Sequence, residues 1–207
     1  MEFNYIADGI DAVIIDNFYS EQQLNEIQKQ LESLTDEQHM VADKDKLEAA
    51  VDIDGNFITT KYGVWINDVE SPLIKFSIEN FSNKQLVQTL IGFNSMYRIL
   101  FFLNRRSHLV SYYENAGYYS KHIDASVFTI LNYFHKEPKQ FTGGDIILHS
   151  NDFSKKATIE TRNNRVVIIP SCTTHEVTQI EMTSHKLDGT GRYCCSIFTE
   201  TQNKENI

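Results

Sequence analysis

The sequence is poor in cysteine and proline, with three of each in 207 residues, and it holds a single tryptophan. Cys172, Cys194 and Cys195 cannot all pair within the chain, and two adjacent cysteines on a strand point to opposite faces. A disulfide framework is therefore excluded, and reduced thiols in a cytoplasmic protein are expected. No apolar run approaches the roughly 20 residues that a bilayer-crossing helix needs, so no membrane partner is expected. The opening Met1-Glu2-Phe3-Asn4-Tyr5 has neither the basic nor the apolar region of a signal peptide, and secretion is not expected. Basic side chains number 19 against 28 acidic ones, a formal charge of −9, and they are not clustered. Binding to nucleic acid depends on concentrated positive charge, so no nucleic-acid partner is expected either.

What the sequence does hold is enough apolar material for one core. At 41% apolar and this length, folding removes roughly 70% of the unfolded chain's surface from water without help from metals or disulfides. Any metal site would then serve function. With no repeat, linker or low-complexity tract, residues 1–207 are expected to form a single domain. An apolar run, Ala12-Val13-Ile14-Ile15, precedes Ser20, an N-cap candidate that Gln23 completes as a capping box. Leu24, Ile27, Leu31 and Leu34 follow at helical spacing. A second helical stretch begins near Pro72 and runs with breaks to Leu90. The acidic segment 36–54 between these helices reads as a mobile surface segment or lid.

From about residue 96 the texture turns to short β-branched and aromatic runs. Candidate strands are 97–104, 108–113, 127–134, 145–149, 158–160, 166–169, 176–181 and 192–199. Closely spaced strands without intervening helices argue for a sandwich or jelly roll. The expected class is α+β: helices within about 1–95 packed on one sheet of a jelly-roll core spanning about 96–200.

One group of residues carries chemistry. In an extended stretch, His122 and Asp124 share a face while Ile123 points away. Far downstream, Val166-Val167-Ile168-Ile169-Pro170 leads to His175, which a β core could bring to the other two. Two imidazoles and a carboxylate with open positions form the facial triad of non-haem Fe(II) oxygenases. Taken alone, a His-x-Asp pair is more often a surface or cap arrangement. On the last strand Arg192 and Ser196 share parity and can face one interior. An arginine inside an apolar core is costly unless an anion meets it, and its fork suits a carboxylate, whether a ligand's or one of the chain's own acids.

In order along the chain, Tyr113-Glu114-Asn115-Ala116-Gly117, His122-Ile123-Asp124, Phe141-Thr142-Gly143-Gly144-Asp145, Val167-Ile168-Ile169-Pro170, His175-Glu176-Val177 and Gly191-Arg192-Tyr193 resemble the prolyl 4-hydroxylase branch of the Fe(II)/2-oxoglutarate dioxygenases. The resemblance spans about 97–200, and the opening Val13-Ile14-Ile15-Asp16-Asn17-Phe18-Tyr19-Ser20 is similar to that branch's N-terminal segment. It implies a double-stranded β-helix in which His122, Asp124 and His175 hold Fe(II) and Arg192 binds the distal carboxylate of 2-oxoglutarate. Tyr133 matches the tyrosine whose hydroxyl shares that carboxylate and Ser196 the cofactor-binding hydroxyl position after the arginine, although a core tyrosine bonded to backbone is a common alternative for Tyr133. Tyr113 matches a position near the iron and cosubstrate, and Gly143-Gly144 a turn between strands. His175 and Arg192 lie 17 residues apart (192 − 175), longer than usual for the family, which a hairpin insertion at 183–189 would explain.

The activity so implied is hydroxylation of a prolyl residue in a peptide or protein. It consumes O2, decarboxylates 2-oxoglutarate to succinate, and could draw on ascorbate. A free amino acid or other small molecule is the alternative substrate on the same fold. A non-catalytic, cupin-like metal-binding module is the alternative of another class, and Arg192 is the residue that such a module would not need. Residues 36–54 and 58–65 are the candidate substrate lid, with Trp65 placed either in a peptide groove or in the core.

Overall fold

The computed structural model describes residues 1–7, 9–35, 39–42, 45, 50–183 and 187–201. Two antiparallel sheets face one another, and helices cover the outer side of the larger. The first strands, β1 (Glu2–Ile6) and β2 (Ala12–Asp16), form a hairpin that leads into α1 (Glu21–Thr35). The capping box forms at its start: Ser20 N donates to Gln23 Oε1 at 3.0 Å, and Gln23 N donates to Ser20 Oγ at 3.3 Å. Short strands β3 (Val41–Ala42) and β4 (Thr59–Thr60) precede β5 (Tyr62–Ile66). Then come α2 (Pro72–Phe81) and α3 (Lys84–Phe93), the broken helical stretch expected from Pro72 onward, with Asn83 accepting from Gln85 N and Leu86 N as the N-cap of α3.

The strand expected at 97–104 is instead a 3₁₀ helix over Ser95–Phe101. Asn94 accepts from Met96 N and caps it, while Tyr97 and Leu100, three residues apart, are both buried. Three-residue spacing of buried side chains suits the 3₁₀ period, and it outweighs the aromatic and aliphatic composition that suggested a strand. The Tyr97 hydroxyl also donates to the Asp11 carbonyl, tying this helix to the β1–β2 hairpin.

The remaining strands are β6 (Arg105–Tyr113), β7 (Tyr118–His122), β8 (Phe128–Phe134), β9 (Ile146–His149), β10 (Lys156–Ile159), β11 (Arg165–Pro170), β12 (His175–Val177) and β13 (Arg192–Glu200). The larger sheet runs β1-β2-β11-β8-β13-β6-β5-β3 and the smaller β10-β9-β12-β7-β4. This is the double-stranded β-helix architecture. Expected strands 127–134, 145–149, 158–160, 166–169 and 192–199 match within a few residues. The one expected at 176–181 stops at Val177, and Glu181 lies beyond it in an isolated bridge with Thr142. Residues 58–65, expected as part of a lid, lie largely in sheet, with Lys61 at the corner between two strands: β4 pairs β7, and β5 sits between β6 and β3. Of the segment 36–54, residues 36–38, 43–44 and 46–49 lie outside the described residues, as do 184–186 of the expected hairpin insertion.

Alternation along the central strands divides the core in two. Val13, Ile15, Ile130, Ile168, Cys195 and Ile197 face the helices, where Ile27, Leu31, Phe76 and Leu90 cover them. Their neighbours Ala12, Ile14, Leu131, Tyr133, Val167 and Cys194 face the smaller sheet. The adjacent thiols thus point to opposite faces, and all three cysteines are free. Among the described residues no helix is long and apolar enough to cross a membrane.

One core group reports on acid stability. His108, on β6, is 5% exposed and its Nε2 is buried without a hydrogen-bond partner. Burial, and then the charge of Arg106, lowers its imidazole to about 4. The unfolded chain takes up that proton near pH 6.5, so the contribution of His108 is intact above that value and declines as pH falls toward 4. Denaturant titrations at pH 7.5 and pH 5 are expected to show His108→Phe losing less stability than the wild type, by about 1.4 kcal/mol per pH unit at most. Equal losses in the two proteins would show that His108 is not the group responsible.

Candidate metal and carboxylate site

The candidate residues converge between the two sheets. His122 ends β7, and His175 begins β12 directly opposite it in the antiparallel register. Facing side chains on one sheet side are close neighbours, so pairing alone brings the imidazoles together; their ring centroids are 4.2 Å apart. Asp124 lies past the end of β7 rather than on it. Its position comes from the backbone bond Asp124 N to Ser171 O at 3.0 Å, while Ile123 is 60% exposed. The Asp124 oxygens lie 3.8 Å from His122 Nε2 and 3.6 Å from His175 Nε2. One ligand atom from each of the three residues falls within 4.8 Å of the others, a spacing that one cation could bridge.

Both imidazoles are oriented by the same device. His122 Nδ1 lies 2.8 Å from Ser120 O, and His175 Nδ1 lies 2.9 Å from Thr173 O. A carbonyl can only accept, so each Nδ1 carries a proton and each Nε2 offers its lone pair to the site. Burial, followed by the neighbouring His175, lowers the His122 imidazole to about 4, which keeps it neutral at pH 7. Tyr119 stacks on the His122 ring with centroids 3.6 Å apart. The Asp124 carboxylate accepts from Thr129 Oγ1 at 2.6 Å, and that hydroxyl also contacts Ser171 Oγ at 2.9 Å. The motifs did not flag Thr129 or Ser171, because their contact with Asp124 exists only once β8 and the turn after β11 are assembled.

The opposite wall belongs to the larger sheet. On β13, Arg192, Cys194, Ser196 and Phe198 line one cavity of about 80 Å³ together with the three candidate ligands, as do Tyr113 and Tyr133. All seven residues singled out from the sequence meet here. Arg192 is 1% exposed and donates through Nε to Thr161 Oγ1 at 3.2 Å, but its Nη1 is buried without a partner. Its guanidinium lies 4.8 Å from the ring centroid of Tyr113 and 4.7 Å from that of Tyr133. The other buried arginine makes the contrast: Arg165 holds Asp16 in a fork, with Nε to Oδ1 at 2.6 Å and Nη2 to Oδ2 at 2.7 Å. No such ion pair forms at Arg192 among the described residues. The Tyr133 hydroxyl, too, is buried without a partner, so it is not a core tyrosine bonded to backbone. Burial pushes its phenol well above the ordinary range and keeps it a hydrogen-bond donor.

Gly144 clears the way for this arginine. Its φ is +72°, and a Cβ there would come within 2.8 Å of Arg192 Cδ and 3.1 Å of the Ile180 side chain. Gly143, at φ +71°, passes close to the Gln179 carbonyl, where a Cβ would lie 2.0 Å from the oxygen. The turn expected at Gly143-Gly144 is present, and the close approach of its second glycine to the arginine stem is an addition that the motif alone did not carry.

An imidazole, imidazole and carboxylate set with a neutral nitrogen from each ring suits a divalent iron, and partnerless donors at Arg192 and Tyr133 suit a carboxylate. A sequence-family model described as the 2OG-Fe(II) oxygenase superfamily matches residues 107–199, the stretch that supplies every one of those groups. The match covers just under half of the chain. The chain is similar in structure to a Pseudomonas putida prolyl-4-hydroxylase, with TM-score 0.64, 13% identity, and 93% of this chain and 94% of that one covered. It is similar also to a Trichoplax adhaerens prolyl hydroxylase solved with a hypoxia inducible factor oxygen degradation domain peptide fragment, at TM-score 0.64, 19% identity, and 91% and 83% coverage. An Arabidopsis thaliana dioxygenase for auxin oxidation, bound to 2-oxoglutarate, aligns at TM-score 0.56 and 14% identity over 95% and 85% of the two chains. Likeness at these identities is likeness of oxygenase fold. No curated protein matches the chain in sequence.

The hydroxyl that holds Asp124 gives a test independent of turnover. Thr129→Val keeps the shape of the side chain and removes the donor, and it is expected to weaken Fe(II) or Mn(II) uptake about tenfold, whereas Thr129→Ser retains most of it. Calorimetric metal titrations of the three proteins read this directly. Equal affinities in the valine and serine variants would show that the bond does not orient the carboxylate.

Proposed function

We propose that this chain is an Fe(II)- and 2-oxoglutarate-dependent dioxygenase that hydroxylates a prolyl residue in a peptide or protein. The observation that carries the reading is the pairing, across one small cavity, of the His122, Asp124 and His175 side chains with a buried arginine that has no counter-charge among the described residues. Coverage of over nine tenths of the chain by the prolyl-4-hydroxylase alignment supports treating 1–207 as one catalytic domain.

Within that reading, His122 Nε2, Asp124 and His175 Nε2 would hold the ferrous ion. Arg192 and Tyr133 would hold the far carboxylate of 2-oxoglutarate, with Ser196 and Tyr113 on the same wall. The bound iron and cosubstrate would supply the oxidising power to insert one atom of O2 into a C–H bond as the keto acid becomes succinate. The protein's part is placement. The Ser120 and Thr173 carbonyls keep both Nδ1 protons away from the metal face, and Thr129 fixes the carboxylate. Leu131, Ile146 and Val177 give the cavity apolar walls that limit water. Arg192 anchors one end of the cosubstrate so that the other reaches the ligand triad, a distance set by the spacing of the two sheets.

A second cleft of about 270 Å³ adjoins the metal cavity, lined in part by Phe57, Thr59, Tyr62 and Asn115. Room beyond the small inner cavity supports a peptide substrate over a fully enclosed small molecule. The uncompensated Arg192 supports an oxygenase over a silent cupin-like module, which has no use for a buried cation facing its metal.

Two variant sets test this reading. His122→Ala and Asp124→Ala are expected to abolish succinate formation while retaining the wild-type circular dichroism spectrum, and turnover persisting in either would remove it from the ligand set. Gly144→Ala, which drives a methyl group onto the Arg192 stem, is expected to raise the half-saturating 2-oxoglutarate concentration about tenfold with metal affinity unchanged. Should that concentration stay at the wild-type value, the anchoring role of Arg192 fails. Incubation with proline-containing peptides, followed by mass spectrometry for the gain of one oxygen atom, tests the substrate class.

A further inference from the structure

Lys61 occupies the corner where the chain leaves β4 on the smaller sheet and enters β5 on the larger. Among the described residues lining the two cavities, it alone is common to the metal cavity and the adjoining cleft. Its ammonium is not extended into solvent. Nζ sits 4.6 Å from the ring centroid of Tyr119, the ring that stacks on His122, and 5.9 Å from that of Tyr113. In a chain with 28 acidic side chains, no carboxylate among the described residues pairs with it. Glu114, on the wall of the same cleft, interacts with Tyr62.

Arg192 does not share Lys61's ligand. The Tyr113 ring lies between them, 4.8 Å from the guanidinium and 5.9 Å from the ammonium, and Arg192 sits at the cavity floor while Lys61 is at its mouth. Charge counting agrees. With neutral imidazoles the cavity holds Asp124 against Arg192 and Lys61. A divalent cation and a dicarboxylate cancel one another, so the loaded cavity keeps one net positive charge, located at the entrance. An anionic group arriving there meets an ammonium that no acceptor among the described residues has claimed.

We infer that Lys61 is a specificity-determining residue that receives a carboxylate carried by the substrate next to the carbon to be oxidised. The inference rests on the oxygenase reading above and adds the charge of the group beside the target. That carboxylate can belong to an acidic residue flanking the proline of a peptide or to the α-carboxylate of a free amino acid.

Trp65, the chain's one tryptophan, makes binding visible without turnover: it is 52% exposed and lies 6.0 Å, ring to ring, from Phe198 on the cavity wall. The experiment is a fluorescence titration of the anaerobic, Fe(II)- and 2-oxoglutarate-loaded protein. One arm uses capped peptides that differ only in Asp, Asn or Lys beside the proline, and the other compares free proline with prolinamide. Wild type is expected to bind the carboxylate form about five- to tenfold tighter than the cationic form in one of the arms. Lys61→Met should level the series, and Lys61→Glu should invert it. Discrimination absent from both arms, or surviving unchanged in Lys61→Glu, overturns the inference. The charge reversal guards against a folding artefact, since a damaged site loses affinity for every ligand alike. Admitting oxygen then scores the prolyl reading separately. A Lys61-dependent preference without oxygen gain on proline retires the prolyl substrate and leaves Lys61's role standing.

Discussion

The constraint on which the site depends is a guanidinium buried between two sheets with no acid among the described residues to neutralise it. Stripping such a charge of water costs several kcal/mol, and nothing within hydrogen-bond reach of Arg192 Nη1 repays it. Arg165 shows the economical solution in the same fold, a bidentate carboxylate on the neighbouring strand. The chain keeps Arg192 in place by other means: a hydrogen bond that its Nε donates to the Thr161 hydroxyl, two tyrosine faces, and a glycine where any side chain would collide with its stem. A site held at that cost is preorganised for an anion of matching fork geometry, and binding such an anion should stabilise the fold as well as fill the cavity.

The division of labour between the sheets follows from this. The larger sheet is buried on both sides, and along β13 Tyr193, Cys195 and Ile197 pack toward the helices while Arg192, Cys194 and Ser196 face inward. Helix packing thereby fixes the wall that carries the cation. The smaller sheet carries the candidate nitrogen ligands, His122 and His175, on adjacent strands and needs no helices, because its inner face is covered by the larger sheet. Separation of the two faces sets how far an anion held at Arg192 lies from an ion held at the triad.

How much of this the sequence revealed depended on how local each cause was. The capping box at Ser20, the strands at 127–134 and 192–199, and the opposed faces of Cys194 and Cys195 follow from period and neighbours within a few residues. His122, His175 and Arg192 were legible because motif order along the chain survives folding. The 3₁₀ helix at Ser95–Phe101 was missed because its composition is strand-like and its capping by Asn94 is a single-residue signal. Strand β5 lay in a segment expected to be a lid, since its partners β6 and β3 are distant in sequence or too short to recognise. Thr129 and Lys61 carry no motif, and the motif at Gly143-Gly144 announced only a turn; each of Thr129, Gly144 and Lys61 acquires its role from a contact with a residue on another element.

The triad itself combines both kinds of cause. Each imidazole bonds the carbonyl two residues before it, Ser120 for His122 and Thr173 for His175, so ring orientation and tautomer are set by short local geometry on two unrelated strands. The carboxylate is held differently: Asp124 N donates to Ser171 O across the fold, while the Thr129 hydroxyl, five residues further along on β8, donates to the carboxylate. A metal held here would have its affinity coupled to tertiary packing through Asp124, with the Thr129 hydroxyl, 2.6 Å from the carboxylate, as the link.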